Sequence, residues 1–243
     1  MVSFAHWIFT VEYNIRLAGG AWMKRNPSGF TLIATAITLV VVGLLLGLIL
    51  KGQEIIDSSR VKNLADDFKN FPSSVYGYED KFKALPGDDP KLAGHFPEAT
   101  PCSPVAAGKC AVGNGMIDGK WSDTTVASES YIYWQDVRMA GLAPGSTDTS
   151  NLNGDYIPRN AVGGQIGVTD TAASPIIGLK GTPIICSDAI PGKLVKQLDI
   201  TMDDGNTATG SMRAIAAGTT TLGNPIQTIN IVDDARYLVC MNA

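Results

Sequence analysis

Lys24-Arg25-Asn26-Pro27-Ser28-Gly29-Phe30-Thr31-Leu32-Ile33 opens onto an apolar run that lasts to Leu50 without a charged residue and stops at Lys51. The 21 residues of 30–50 suffice to cross a bilayer, because an α-helix rises about 1.5 Å per residue and the hydrocarbon core is roughly 30 Å thick. The order of the parts is what makes the stretch informative. A secretory signal peptide places its small-residue cleavage site after the apolar run, whereas Ser28-Gly29 precedes it here. A cut after Gly29 therefore removes a short basic leader and leaves the apolar helix on the mature chain. Lys24 and Arg25 hold that leader on the cytoplasmic side by the positive-inside rule, so the chain beyond Leu50 is expected in the periplasm or outside.

The helix is expected to outlast the membrane. Val61, Leu64, Ala65 and Phe68 fall at i, i+3, i+4 and i+7, one apolar stripe with Asp57, Arg60, Lys62, Asp66, Asp67 and Lys69 on the other faces. This predicts a helix over residues 30–70, membrane-spanning over 30–50, with Pro72 as its stop. Gly43 and Gly47 form a Gly-x-x-x-Gly pair, which permits close helix packing in lipid, although glycines are also common in simple apolar anchors.

Gly29, Phe30, Thr31, Leu32 and Ile33, with the apolar run and Lys51-Gly52-Gln53-Glu54 behind them, resemble the prepilin segment of the type IV pilin superfamily, which includes the pseudopilins of type II secretion. The resemblance covers about 40 residues from Lys24. Fainter likenesses to turn motifs in one group of pilin-like proteins lie at Ala84-Leu85-Pro86-Gly87-Asp88-Asp89 and Asp203-Asp204-Gly205. The resemblance implies cleavage after Gly29 by a prepilin peptidase, which then methylates the amine of Phe30. It implies a single-pass protein of the bacterial inner membrane with a periplasmic C-terminal domain, later packed through its helix into an extracellular pilus or a periplasmic pseudopilus. The implied partners are that peptidase/methyltransferase, other pilin or pseudopilin subunits, an inner-membrane assembly platform and membrane lipid. The implied fold is α+β and pilin-like, a long N-terminal helix packed on an antiparallel β-sheet, with residues 71–243 as the exported globular domain.

One position departs from the family. Its usual glutamate at the fifth residue after the cut is Ala34 here. A carboxylate in a bilayer is costly and needs a partner, and in the family that partner is the new N-terminal amine. Ala34 fits either drift in a dispensable paralogue or a minor subunit, at a filament tip, that lacks one of the usual neighbours. Residues 1–29 are the leader of this scheme. Residues 1–22 hold Trp7, Ile8, Phe9 and Val11 but no spanning run and no clear periodicity, so Met23 is the expected start and 1–22 a mis-annotated extension.

The chain has 19 basic and 23 acidic residues and a net charge of −4. Loss of the leader makes it more acidic, since Arg16, Lys24 and Arg25 go with a single acid, Glu12. This balance gives no clear nucleic-acid signal, because broad DNA binding needs cations to displace counterions. Cys102, Cys110, Cys186 and Cys240 all lie in the exported region, where an even number reads first as two disulfides. Cys102–Cys110 would close a short loop and Cys186–Cys240 would tie the C-terminus to the sheet, the latter resembling the disulfide-bounded C-terminal loop of many pilins. A zinc site is the rival, but there is no Cys-x-x-Cys, and His95 is the one histidine after the cut.

Abundant Gly, Thr, Ser, Asn and Pro beyond the helix predict short strands and long loops. Residues 76–104 read as loop, 128–142 as a helix, and a short helix follows Pro191. Strands are expected at 176–179, 182–186, 211–216, 226–232 and 236–240. Asp199, Asp203, Asp204 and Asn206 gather oxygen ligands near one turn, as calcium requires. Asn114-Gly115 with Asp118, and Asn151, Asn153 and Asp155, are weaker versions, and Asp/Asn/Gly turns also arise from backbone preference alone. No other cofactor motif is present: no Walker sequence and no Gly-x-Gly-x-x-Gly after a strand. Any nucleophilic triad would have to use His95, which sits between Gly94 and Phe96 in a Pro-rich loop. Tyr131, Tyr133 and Trp134 could form a binding face, but their helical spacing favours core packing for Trp134. The reading is a non-enzymatic, pilin-like filament subunit, with a minor or tip pilin that binds a surface, a secreted substrate or DNA as the alternative.

Overall fold

The computed structural model describes residues 28–103, 109–150, 156–219 and 222–242. They fall into two compact units, one ending at Gly52 and the other beginning at Gln53. The leader up to Pro27, Pro104, and the weak calcium candidate of Asn151, Asn153 and Asp155 lie outside the described residues.

Helix α1 runs over Ser28–Phe82, and its part up to Gly52 is the whole of the described first unit. Every side chain from Ile33 to Ile49 is exposed, including eleven large aliphatic ones. Burying such a side chain is worth roughly 2 kcal/mol, so leaving this set in water would forfeit on the order of 20 kcal/mol. That exceeds the roughly 5–15 kcal/mol by which a domain is stable. The segment is long and apolar enough to cross a membrane.

The second unit is α+β. From Val61 the helix buries Leu64, Ala65, Phe68, Phe71 and Val75, which share one core with Ile166, Val168, Ile185, Val239 and Met241 of a sheet and with Leu194, Val195 and Leu198. The expected stop at Pro72 is corrected here: Pro72 lies inside α1, which continues to Phe82. Proline removes one backbone donor and costs a helix interior about 3 kcal/mol, but the apolar stripe continues in phase across it. Phe71 and Val75 enter the same core. Tyr78, fully buried, donates to Asp89 at 2.9 Å, and Phe82 packs on Tyr78, His95 and Phe96 with ring centroids 4.6, 4.8 and 5.2 Å away. Residues 76–82, expected as loop, are helical for the same reason. Lys83, at φ 57°, ends the helix.

Two further helices follow, α2 at Leu92–His95 and α3 at Glu129–Met139, the latter inside the range expected. The sheet comprises β1 Ile166–Thr169, β2 Ile184–Pro191, β3 Met212–Ala216 and β4 Arg236–Asn242. Helix α4, Gly192–Met202, joins β2 to β3. The strand order is β1-β2-β4-β3, antiparallel throughout. Both faces are apolar. One meets α1, and the other carries Ile184, Cys186, Ile215, Leu238 and Cys240 under Ile176 and Leu179. The expected strand at 176–179 is therefore a covering segment, tied by one bridge from Ile176 to Gly223. At 226–232 the chain makes a 3₁₀ turn, Thr228–Asn230, with Ile231 buried and Ile229 exposed.

Both cysteine pairs are disulfides. Cys186 and Cys240 are directly paired residues of β2 and β4, with Cα atoms 4.1 Å apart. Their sequence separation is 54, against 8 for Cys102–Cys110. Loop-closure entropy then gives about 4 kcal/mol for the long loop and about 2.5 kcal/mol for the short one. Replacing both Cys186 and Cys240 by Ala should cost more stability in urea denaturation than replacing Cys102 and Cys110; the opposite order would contradict the entropic ranking.

Candidate functional site

Ser28, Gly29 and Phe30 form the first turn of α1, and the helical backbone continues unbroken through Leu32. The proposed scissile bond and the anchor are thus one element. Ile33 and Ala34 are exposed. The first turn of α1 holds no acidic residue, and the first after Gly29 is Glu54, so the helix supplies no carboxylate of its own at the positive end of its dipole. Inside the apolar run, Thr38 satisfies its hydroxyl within the helix by donating to the Ala34 carbonyl at 2.5 Å, as a polar group in hydrocarbon must. A Cβ added at Gly43 or Gly47 would meet nothing within 4 Å, so both glycines leave the helix surface open to a partner.

The Ala84–Asp89 motif is a clasp. The Gly87 amide donates to Asp136 Oδ2 at 2.7 Å, and its φ of +91° together with the Glu129 carbonyl, 2.6 Å from where a Cβ would sit, admits only glycine. Asp88 accepts the amides of Gly113, Asn114 and Gly115, the last at 2.7 Å. Asp89 accepts the Tyr78 hydroxyl and sits 2.7 Å from His95 Nδ1. His95, stacked on Phe82, is therefore a packed residue fastening the end of α1. The Asn114–Asp118 turn closes on itself, with Asp118 accepting from Ala111 N and Asn114 Nδ2.

Asp199, Asp203 and Asp204 come together, each offering a carboxylate oxygen within 4.8 Å of the others. Asn206 lies in the turn that follows, where its amide oxygen accepts the Ala208 amide at 3.2 Å. Trp134 is half-buried, edge-on to Tyr133 at 5.1 Å and 5.7 Å from the Arg138 guanidinium. It borders an open groove of about 350 Å³ with Asp67, Phe71, Arg138, Ile166 and Ile185. Burial in that groove, with Asp66 adjacent, pushes Asp67 up to about 6. Tyr131 is buried on Tyr156, and their hydroxyls donate to the Thr149 and Tyr131 carbonyls. Of the three aromatics, Tyr131 and Tyr133 pack inward, and Trp134 reaches the groove.

Two buried acids escaped the sequence reading. Glu129 and Asp136, both fully buried on α3, each keep one carboxylate oxygen without a hydrogen-bond partner. Desolvation pushes Glu129 up to about 8, with Asp88 and Asp118 adding repulsion. Asp136 rises to about 7, by desolvation and then by Asp89. Their spacing of seven, two helical turns, is the signal that places both on one face, but nothing in the sequence says that this face is inward.

No protein-family model, no curated protein and no solved structure matches this chain.

Glu129 and Asp136 bind protons more tightly folded than unfolded, where carboxyls titrate near pH 4. Their stabilising contribution is complete below that value and is lost as pH rises through about 7 and 8. In EDTA the melting temperature should fall between about pH 5.5 and 8.5, and Glu129→Gln should flatten the decline. A melting temperature that rises over this interval would contradict the assignment.

Proposed function

We propose that this chain is a prepilin: processed after Gly29, N-methylated at Phe30, and assembled through its apolar helix as a subunit of a type IV pilus or a type II secretion pseudopilus. The observation that carries the reading is the junction itself. Gly29-Phe30 stands at the front of a helix whose side chains from Ile33 to Ile49 are all exposed. Cleavage there keeps the apolar surface on the product, which serves an anchor in lipid before assembly and a packing surface between helices after it. Gly43 and Gly47, open along that surface, suit close helix packing. The antiparallel sheet against the second part of α1, and the disulfide tying β2 to β4, are compatible with a pilin-like exported domain.

Ala34 favours a second reading, a minor or tip pilin that binds a surface, a secreted substrate or DNA. A helix with no carboxylate before Glu54 cannot neutralise a neighbouring subunit's N-terminal amine from within the bilayer. Proteomics of sheared fibres separates the two, because a principal subunit dominates the fibre and a minor one is present in trace.

Substituting Gly29 with a bulkier residue should leave the protein at its precursor mass in cells that process the wild type. Unchanged processing of such a variant would overturn the assigned cut.

A further inference from the structure

The C-terminal end of α4 holds an arrangement that the filament reading does not use. Asp199 lies in the last turn of this eleven-residue helix, Asp203 is its C-terminal capping residue, and Asp204 follows. That turn contains no basic residue. Three carboxylates therefore gather at the negative end of a helix dipole, where cations are favoured and anions are not.

Asp199 is fully buried, and neither of its carboxylate oxygens has a hydrogen-bond partner. The Gly205 amide lies near enough to lower its pKa slightly, but does not reach hydrogen-bond geometry. Leaving a buried carboxylate charged and unpaired is costly unless an ion or a proton compensates it. The other two acids are held in place. Asp203 Oδ2 accepts the Met212 amide at 2.8 Å, and its carboxylate lies against Gly210, at φ 69°, in the space a Cβ would need. Asp204 accepts the Asn206 amide at 2.9 Å and the Thr209 hydroxyl at 2.6 Å. Arg213 is the weakest of the influences on Asp204, and its guanidinium donates to the Gly210 and Ile177 carbonyls.

We propose that Asp199, Asp203 and Asp204 form a calcium site that ties the end of α4 to the start of β3. The donors are all hard oxygens, and the set grades from buried Asp199 to exposed Asp204, which gives an ion a route in from solvent. Calcium accepts six to eight oxygens in flexible geometry, so nearby backbone carbonyls and water can complete the shell, whereas magnesium demands a near-ideal octahedron. The site stands independently of whether the chain assembles into a filament.

The test is equilibrium dialysis of the full-length protein in detergent micelles, stripped with EDTA, against radiolabelled calcium at about pH 7.5. One calcium per chain is expected, with a dissociation constant on the order of 10⁻⁴–10⁻³ M, as in extracellular modules. Asp204→Asn, at the exposed edge, should weaken binding roughly tenfold by removing one ligand charge. Asp199→Asn should do the same provided its circular dichroism matches the wild type. No calcium bound at about 5 mM, several times that constant, overturns the proposal, and so does unchanged affinity in Asp204→Asn. Magnesium bound as tightly as calcium overturns the assignment to calcium.

Discussion

An apolar helix surface, exposed from Ile33 to Ile49, is the constraint on which everything else depends. The side chains from Ile33 to Ile49 are exposed, and the hydrophobic cost of leaving them in water is larger than the stability of an ordinary domain. They need a lipid bilayer, other helices, or each in turn. Helical backbone satisfies its own polar groups there, and the Thr38 hydroxyl does so through the Ala34 carbonyl. Gly29 and Phe30, in the first turn of the same helix, place the proposed cut where it cannot relieve that demand.

In the second unit the same helix finds its cover within the chain. The stripe from Val61 to Val75 enters a core with the sheet and α4, and the helix carries past Pro72 because its apolar phase continues. Beyond the core, polar chemistry fastens the ends. The Ala84–Asp89 motif uses each of its last three residues differently: Gly87 donates to Asp136, Asp88 receives three amides from 113–115, and Asp89 receives Tyr78 and faces His95. Buried acids that remain partly unpaired, Glu129 and Asp136, make this clasp favour the protonated state.

The apolar run to Leu50, the amphipathic continuation at Val61, Leu64, Ala65 and Phe68, a helix within 128–142, a short helix after Pro191, and strands expected at 211–216 and 236–240 and found at Met212–Ala216 and Arg236–Asn242 were legible in the sequence. The stripe of α1 carries a periodic signal, and Pro191 marks the start of α4. Other elements were not, for physical reasons. Strand β1 is four residues long and includes Gly167, too little for alternation to register. In β2, Ile184, Ile185 and Cys186 are buried on both faces of the sheet, so the period of two vanishes and the start of the strand slides. Segment 176–179 is apolar because it covers the sheet rather than joins it, and composition does not separate those roles. Of the residues near 199–206, spacing suggested four ligands, and the fold brings the three carboxylates among them together.

The central claim is that the mature protein keeps its apolar helix and begins with it. Intact-mass and N-terminal fragment analysis of the protein extracted from membranes tests this most directly. The account predicts Phe30 as the first residue, carrying one added methyl group on its amine. A mature chain beginning beyond Leu50, or a precursor that persists uncut in cells with an active prepilin peptidase, would contradict it.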